Sequence, residues 1–443
     1  MLRRGCLVRF GSATSSISSS LVGHLELLRF RFTSTFSNGL FCTVDEVAYV
    51  WWYDNESAIQ SYGIDFVEDL PHFLVLLLCF ERFTLKDWGI ISEFKFSGQE
   101  ADGCVLSFTP PPSTVDIEIS INLTDKIRDH FGIVGRATRM LHATTQSMDP
   151  RGVYKSLEDK GLVVKVYWAE VSRAGEAEII EKALQIAEQN DDVKGHLPDL
   201  ICSHDFDEHS TKVIRKAFGI ETKSHLVLRV MLFRRLYPIT DLIGETFWKA
   251  FWECFRCHYH LWLGGVEHND ISVKNLMYDK LNGDCGVLND YDLAHVRGRQ
   301  RASDTECIGT MPFIALDLLY AKTWKRKVER LYRHDCESFA WVLLWICCRY
   351  DGGKQISNAP LSEFITHDFN KCAIEKFCIF SNSDLWPTTS YERFWHAAIE
   401  LFKWPVRHQL KIRFREGTTE PTIGEVYEIY RNVLEVEGFK GTL

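Results

Sequence analysis

Residues 267–294 read E-H-N-D-I-S-V-K-N-L-M-Y-D-K-L-N-G-D-C-G-V-L-N-D-Y-D-L-A, and no other stretch narrows the fold as far. Two short apolar runs, 276–278 and 286–288, flank Asn282-Gly283-Asp284. Asn-Gly between apolar runs is a strong hairpin signal, because both residues tolerate the left-handed backbone of a tight turn. Asp270 and Asn275 precede this hairpin and Asp290 follows it. Closing the hairpin brings its two ends, and three oxygen-bearing side chains, together. Asn275 and Asp290 suit a hard cation such as Mg2+, which takes oxygen ligands and keeps positions for water and substrate phosphates. Asp270 is left to orient and deprotonate a hydroxyl.

The remaining chain sets the context. Its 443 residues are enough for two or three domains, and 46% hydrophobic with 25% charged residues is ordinary globular composition. A net charge of -9 argues against general nucleic-acid binding, which needs a basic face. Fourteen scattered cysteines form no disulfide framework and read as reduced thiols of an intracellular protein, cytoplasmic or nuclear. Residues 1–41 are basic and serine-rich, with Arg3, Arg4, Arg9, Arg29 and Arg31 against Glu26. That composition fits a mitochondrial transit peptide, but no amphipathic helix is sustained through the serines, so a disordered tail is the preferred reading. The apolar runs 73–80 and 339–348 fall short of the ~20 residues that cross a membrane. Both read as buried helices, the first with Asp69 as N-cap and Pro71 in its first turn.

Residues 49–53 read as one strand, 54–55 as a turn and 58–63 as its return. Glu93-Phe94-Lys95 has the Glu-x-Lys form of some metal nucleases, though plain alternation on an exposed strand explains it better. Gly132 and Gly135, with Arg136 and Thr138, sit among alternating apolar residues and suit a hairpin whose N–H groups cover phosphates. Leu162–Tyr167 is a strand with Lys165 in its middle, followed by a helix over 173–190 with Ile179, Ile180, Leu184 and Ile186 inward. Cys254-x-x-Cys257-His258 has the form of a haem-attachment sequence, but helical spacing on a buried face accounts for it. Trp386, Trp395 and Trp404 are core candidates.

His268-Asn269-Asp270, Asn275 and Asp290-Tyr291-Asp292 resemble the catalytic loop and metal loop of protein kinases, H-R-D-x-x-x-x-N and D-F-G. The phrases G-R-A-T-R at 135–139, H-N-D-I-S-V-K-N at 268–275, L-N-D-Y-D-L-A at 288–294, G-T-M-P-F-I-A at 309–315 and Y-R-H-D-C-E-S-F at 332–339 are similar to the fungal-type protein kinase family. The resemblance runs from about Val44 to Lys354. It implies an α+β, bilobal kinase-like fold with a β-rich N-lobe over 126–236, a mostly helical C-lobe over 237–443 and a small α+β extension over 42–125. It implies ATP, Mg2+ and transfer to Ser or Thr of a protein substrate, with no nucleic-acid or membrane partner and an open oligomeric state. Lys165 then grips the α- and β-phosphates and pairs with a helix carboxylate, Glu176 in preference to Glu178 or Glu181. Asp335 would hold the catalytic-loop backbone from below, unless it only caps its helix, and Asp317 stands where kinases have the Glu of A-P-E.

Departures from the general pattern carry their own expectations. Ser272 replaces the lysine two residues after the catalytic Asp, and Lys274 stands where some tyrosine kinases place a compensating Arg, ready to neutralise the γ-phosphate. Asn269 replaces an arginine that often holds a phosphorylated activation loop. With Arg297, Arg299 and Arg301 supplying charge in that segment, it is expected to need no phosphate on Ser303 or Thr305. The competing reading has those arginines capture one. Two classes of function stay open: a phosphotransferase acting on a protein or, as a variant, on a small molecule, and a pseudokinase that binds nucleotide or acts as a scaffold.

Overall fold

The computed structural model describes residues 36–38, 42–44, 46–84, 86–96, 103–111, 113–129, 135–145, 161–220, 224–299, 309–323, 328–379, 385–413 and 419–439. Gly132, Arg301, Ser303 and Thr305 lie outside them. The chain divides into two compact units, Met1–Arg173 with Asp199–Arg235, and Ala174–Pro198 with Leu236–Leu443.

The first unit is built on strands. β1 (Phe36–Asn38), β4 (Trp51–Asp54) and β5 (Ala58–Gln60) form one small sheet, and β2 (Cys42–Val44), β3 (Val47–Tyr49) and β6 (Ile64–Asp65) another. Residues 49–53 are therefore not one strand: the chain changes sheets at Val50. A seven-stranded antiparallel sheet follows, made of β7 (Phe94–Phe96), β8 (Gly103–Phe108), β9 (Ile117–Asp129), β10 (Arg139–Thr144), β11 (Leu162–Glu170), β12 (Leu200–Ser210) and β13 (Leu226–Arg234). Its spatial order is β12-β13-β11-β10-β9-β8-β7. β11 is rich in β-branched and aromatic residues and lies between β10 and β13, so nearly all of it is buried. Helix α3 (Thr211–Ala217) is tied to β4 by the buried Arg215–Asp54 ion pair at 2.7 Å.

Helix α1 (Leu70–Glu81) forms where the sequence places it, with Pro71 in its first turn. Asp69 occupies the N-cap position, yet its carboxylate meets His72 Nδ1 at 2.6 Å and caps no helix N–H. The expected burial is wrong: none of its residues is buried, and Leu74 and Val75 are more than half exposed. A run that is apolar at nearly every position has no polar face to mark which side turns inward. Phe73 packs on Phe66, and Phe80 on Phe83 and Trp88.

The second unit is mostly helical. It contains α2 (Glu176–Ala187), α4 (Gly244–Leu263), α5 (Leu316–Thr323), α6 (Tyr332–Arg349), α7 (Phe369–Cys378), α8 (Trp395–Arg413) and α9 (Ile423–Phe439). α6 is apolar on every side over 339–348 and is buried along its whole length, its charged residues included. α4 turns Phe251 and Phe255 toward it, with Phe255 edge-on to Phe339 at 5.2 Å and stacked on Tyr430. Cys254 and Cys257 are buried on this same helix, and burial raises both thiols far above their ordinary pKa. Leu184, expected inward on α2, is exposed, whereas Ile179, Ile180 and Ala183 are buried. Trp386 is 70% exposed and is no core residue, and Trp395 and Trp404 are half-buried. Among the described residues no helix is long and apolar enough to cross a membrane.

The predicted hairpin is β16 (Leu276–Asp279) and β17 (Cys285–Leu288), with Leu276 opposite Leu288 and β14 (Tyr237–Pro238) paired to the outer side of β16. Its turn is a short 3-10 segment, Lys280–Asn282, closed by Gly283 at φ 66°. The segment after α2 is bonded to β17: His196 Nδ1 lies 2.6 Å from Gly286 O, and Leu288 N–H donates to His196 O. The hairpin rests directly on α4, where a Cβ at Gly286 would fall 2.1 Å from Ala250 O. Backbone cannot yield as a side-chain tip can, so Gly286→Ala should destabilise the protein by about 2–3 kcal/mol, read as a lower urea midpoint with an unchanged slope.

Candidate active site

The loop between α4 and the hairpin carries the first part of the site. β15 (Val266–Glu267) pairs with β18 (His295–Val296), which fixes both ends of the 267–294 stretch. His268 is buried, and its Nε2 lies 3.0 Å from Asn289 O while its Nδ1 accepts the Asp270 N–H at 3.3 Å. Burial lowers its pKa to about 4, with Asp335 opposing, so the ring is neutral and braces the loop. Asn269 has φ 67°, a left-handed conformation that Asn tolerates better than most residues. Its Nδ2 donates to Glu267 O at 3.1 Å and Leu293 O at 3.3 Å.

Asp270 is 9% exposed, and its carboxylate is held from two sides. Oδ1 accepts the Thr310 N–H at 2.7 Å and the Thr310 hydroxyl at 2.8 Å. Oδ2 accepts from Asn275 Nδ2 at 3.0 Å, and the same Nδ2 donates to Asp270 O at 2.8 Å. Burial, and then the charge of Asp290, raise the Asp270 pKa above its ordinary value. Asp290 is half-buried and left-handed at φ 67°, opening the 3-10 turn Tyr291–Leu293. Tyr291 is fully buried, with its ring 4.9 Å from that of His268. With its Nδ2 turned to Asp270, Asn275 has its amide oxygen to offer. That oxygen and the Asp290 carboxylate are hard donors of the kind Mg2+ takes, and a cation there would relieve the repulsion that raises Asp270.

Support comes from α6. Asp335 is fully buried and is not an N-cap, a position taken by Leu331. Its Oδ2 accepts the Asn269 N–H at 3.2 Å and lies 3.0 Å from His258 Nε2, and its Oδ1 lies 2.6 Å from Arg330 Nη2. Burial alone would raise this carboxyl. The Arg330 charge and the His258 hydrogen bond outweigh it and hold the pKa well below the carboxylate range. Asp317 accepts from Arg333 Nη2 at 2.8 Å, and Arg333 Nε also reaches Glu420 at 2.5 Å.

The other sequence candidates fall as follows. Lys165 is 2% exposed in the middle of β11, with Nζ 5.0 Å from the Tyr167 ring centre. Glu176 opens α2 and is buried, whereas Glu178 and Glu181 are exposed and Glu178 pairs with Arg299 at 2.5 Å. Gly135 is left-handed at φ 107°, and its N–H donates to Asn55 O at 2.6 Å. Arg136 O accepts the Trp168 N–H, and Thr138 is half-buried. Ser272 is buried, and its carbonyl accepts the N–H groups of Asn275 and Leu276. Lys274 is exposed.

Thr310, His258 and Arg330 are the site residues that sequence reasoning passes over. Thr310 stands 40 positions from the aspartate it contacts, and no local spacing reveals it. Asp335→Asn leaves Arg330 without its charge partner, so it should cost about 3–5 kcal/mol of unfolding free energy in urea titration. The pKa of Asp335 is lowered in the fold, so its contribution is present above the unfolded carboxylate value and is lost as pH falls. The penalty of the variant should therefore be full at pH 7 and shrink in acid.

The sequence matches the family described as fungal protein kinase over residues 26–229 and 244–347. Among solved structures the chain is similar to vaccinia related kinase 3, at 10% identity and a TM-score of 0.44, covering 74% of this chain and 90% of that one. No curated protein matches it. With the match extending over most of its length, the chain belongs to the fungal protein kinase family and has an α+β, protein-kinase-like fold.

Proposed function

We propose that this chain is an ATP- and Mg2+-dependent protein kinase that phosphorylates serine or threonine hydroxyls, with Asp270 as the catalytic base. The observation that carries this reading is the Asp270 carboxylate, held by Thr310 and Asn275 and raised in pKa beside Asp290. A carboxylate fixed by donors on both oxygens keeps one orientation toward an incoming hydroxyl, and a raised pKa makes it a better proton acceptor. Asp270 takes the hydroxyl proton as the oxygen bonds to the γ-phosphorus of ATP, whose bond to the β,γ-bridging oxygen breaks, and ADP leaves with that oxygen. Asn275 and Asp290 would hold Mg2+, which would supply positive charge to offset that of the phosphates. Lys165 neutralises the α- and β-phosphates, with Glu176 as its carboxylate partner in preference to the exposed Glu178 and Glu181. Lys274 supplies γ-phosphate charge that the uncharged, buried Ser272 does not. Gly135 spends its N–H on Asn55, so phosphate grip falls mainly on Lys165.

The competing reading is a nucleotide-binding scaffold. It rests on the sparse glycines around 132–138, and on Asn269 and Asp292 standing where kinases have Arg and Gly. Mg2+-dependent thermal shift with ATP, followed by turnover on a protein substrate panel, separates the two. Asp270→Ala should keep nucleotide affinity and lose at least about a hundredfold in turnover. Asp290→Ala should lose the Mg2+-dependent part of nucleotide binding. Wild-type turnover no higher than that of Asp270→Ala would favour the scaffold.

The pH profile tests the base directly. Asp270 works deprotonated, so kcat/KM should fall as pH drops. Burial, the largest cause of the raised pKa, acts whether or not Asp290 is neutralised by a cation, and places that limb above the ~4 of a free carboxyl. A limb at or below that value would contradict Asp270 as the titrating base.

A further inference from the structure

Asn269 stands beside the proposed base but points away from it. At φ 67° its backbone is left-handed, and its own N–H is spent on Asp335. The side chain is 3% exposed, and both of its hydrogen bonds are donated to backbone carbonyls, Glu267 O before it and Leu293 O beyond the Asp290 turn. Two carbonyl partners fix the amide orientation, because a flipped amide would set oxygen against oxygen. Asn269 Oδ1 is left buried without a hydrogen-bond partner among the described residues. A buried amide that leaves its own acceptor unpaired is held there by what its N–H2 group does.

The Leu293 bond is one of several ties on the same strip of chain. Val266 pairs with Val296 and Glu267 with His295. Arg297 Nε reaches Glu267 at 3.3 Å and its Nη2 donates to Trp262 O at 3.2 Å. Arg299 pairs with Glu178. Arg297 and Arg299 are thus engaged by carboxylates of this chain. The central tie is made of uncharged donors and backbone carbonyls.

We propose that Asn269 is a positioning residue that fastens the Asp290 turn to the catalytic loop, so that the site assembles without a phosphate on the segment that follows. The kinetic arms of the test rest on the phosphotransferase reading; the hydrogen-exchange arm does not.

Two variants of the full chain test the tie. Asn269→Gly keeps the left-handed backbone and removes the amide. Asn269→Asp keeps the size and replaces the donor by an acceptor that repels both carbonyls. In each, backbone hydrogen exchange over 289–297 should quicken about tenfold relative to α6, which serves as internal reference. The Mg2+ concentration for half-maximal turnover should rise about tenfold, because Asp290 is no longer held in place. A merely structural loss would reduce the folded fraction without moving that midpoint. Unchanged exchange over 289–297 in both variants overturns the proposal, whether or not the chain proves to be an enzyme. Wild-type protein stripped by phosphatase, with removal verified by mass spectrometry, should keep turnover within about twofold, and a loss of about tenfold or more overturns the phosphate-free assembly. A wild type with no turnover at all would instead defeat the phosphotransferase reading, and the exchange arm would still decide the role of Asn269.

Discussion

The loop that carries Asp270 hangs on one buried carboxylate. Asp335 sits inside α6 with no exposure to solvent, where an isolated charge would be costly. Arg330 and His258 make the ionised form stable there, and the loop contributes the Asn269 N–H as a further donor. Each partner comes from a different part of the chain: the approach to α6, the aromatic face of α4, and the loop itself. Breaking any one leaves the others desolvated and short of a partner, so the position of Asn269 is enforced cooperatively. Asp270 is the next residue, and its place follows from that of its neighbour.

A second buried network fixes the other half of the site. Glu337, two residues after Asp335 on α6, accepts the Leu316 N–H at 2.8 Å and the Trp341 indole N–H at 3.0 Å. Lys376, fully buried on α7, donates to Ile314 O at 2.6 Å over the ring of Trp341. Arg333 holds Asp317. Residues 314–317 are thereby fixed to α6 and α7 just downstream of Thr310. The bonds from Thr310 to Asp270 therefore join two strips of chain that are each anchored to the same helix. Burial and the neighbouring Asp290 charge raise Asp270, and the bonds from Thr310 and Asn275 pull the other way. The Asp270 carboxylate is thus tuned by the same contacts that aim it.

Much of this was legible from residue types, and the failures have physical causes. Asn282-Gly283 gave the hairpin because turn chemistry is local, and Gly283 does take the left-handed conformation. Lys165 stands amid β-branched residues of a strand in the sequence, and it is buried where β11 lies between β10 and β13. The alternatives for Asp335, helix cap or loop anchor, could not be separated in sequence, since His258 and Arg330 lie 77 and 5 positions away. Helix α1 was misjudged because uniform apolarity gives no direction. Leu184 was misplaced because α2 has a narrower buried face than its apolar residues suggest.

The D-Y-D sequence in place of D-F-G also becomes intelligible. The residue in the left-handed region is Asp290, at φ 67° and ψ 78°, and Asp292 lies within the 3-10 turn Tyr291–Leu293. A side chain costs little there, so glycine is not required at 292 for this backbone path. The strain sits instead at Asn269 and Asp290, both non-glycine residues at φ 67°. Such conformations cost of order ~1–3 kcal/mol each and persist only where their surroundings over-determine them. Asn269 meets that condition through its bonds to Asp335, Glu267 and Leu293. Asp290 meets it through what lies on either side: Asn289 bonds to Asn275 O and the His268 ring, and Tyr291 is sealed in the core against that same ring. The His268 imidazole thus braces neighbours of both strained residues, Asp270 beside Asn269 and Asn289 and Tyr291 beside Asp290, which is why a neutral, buried histidine is the right chemistry at 268.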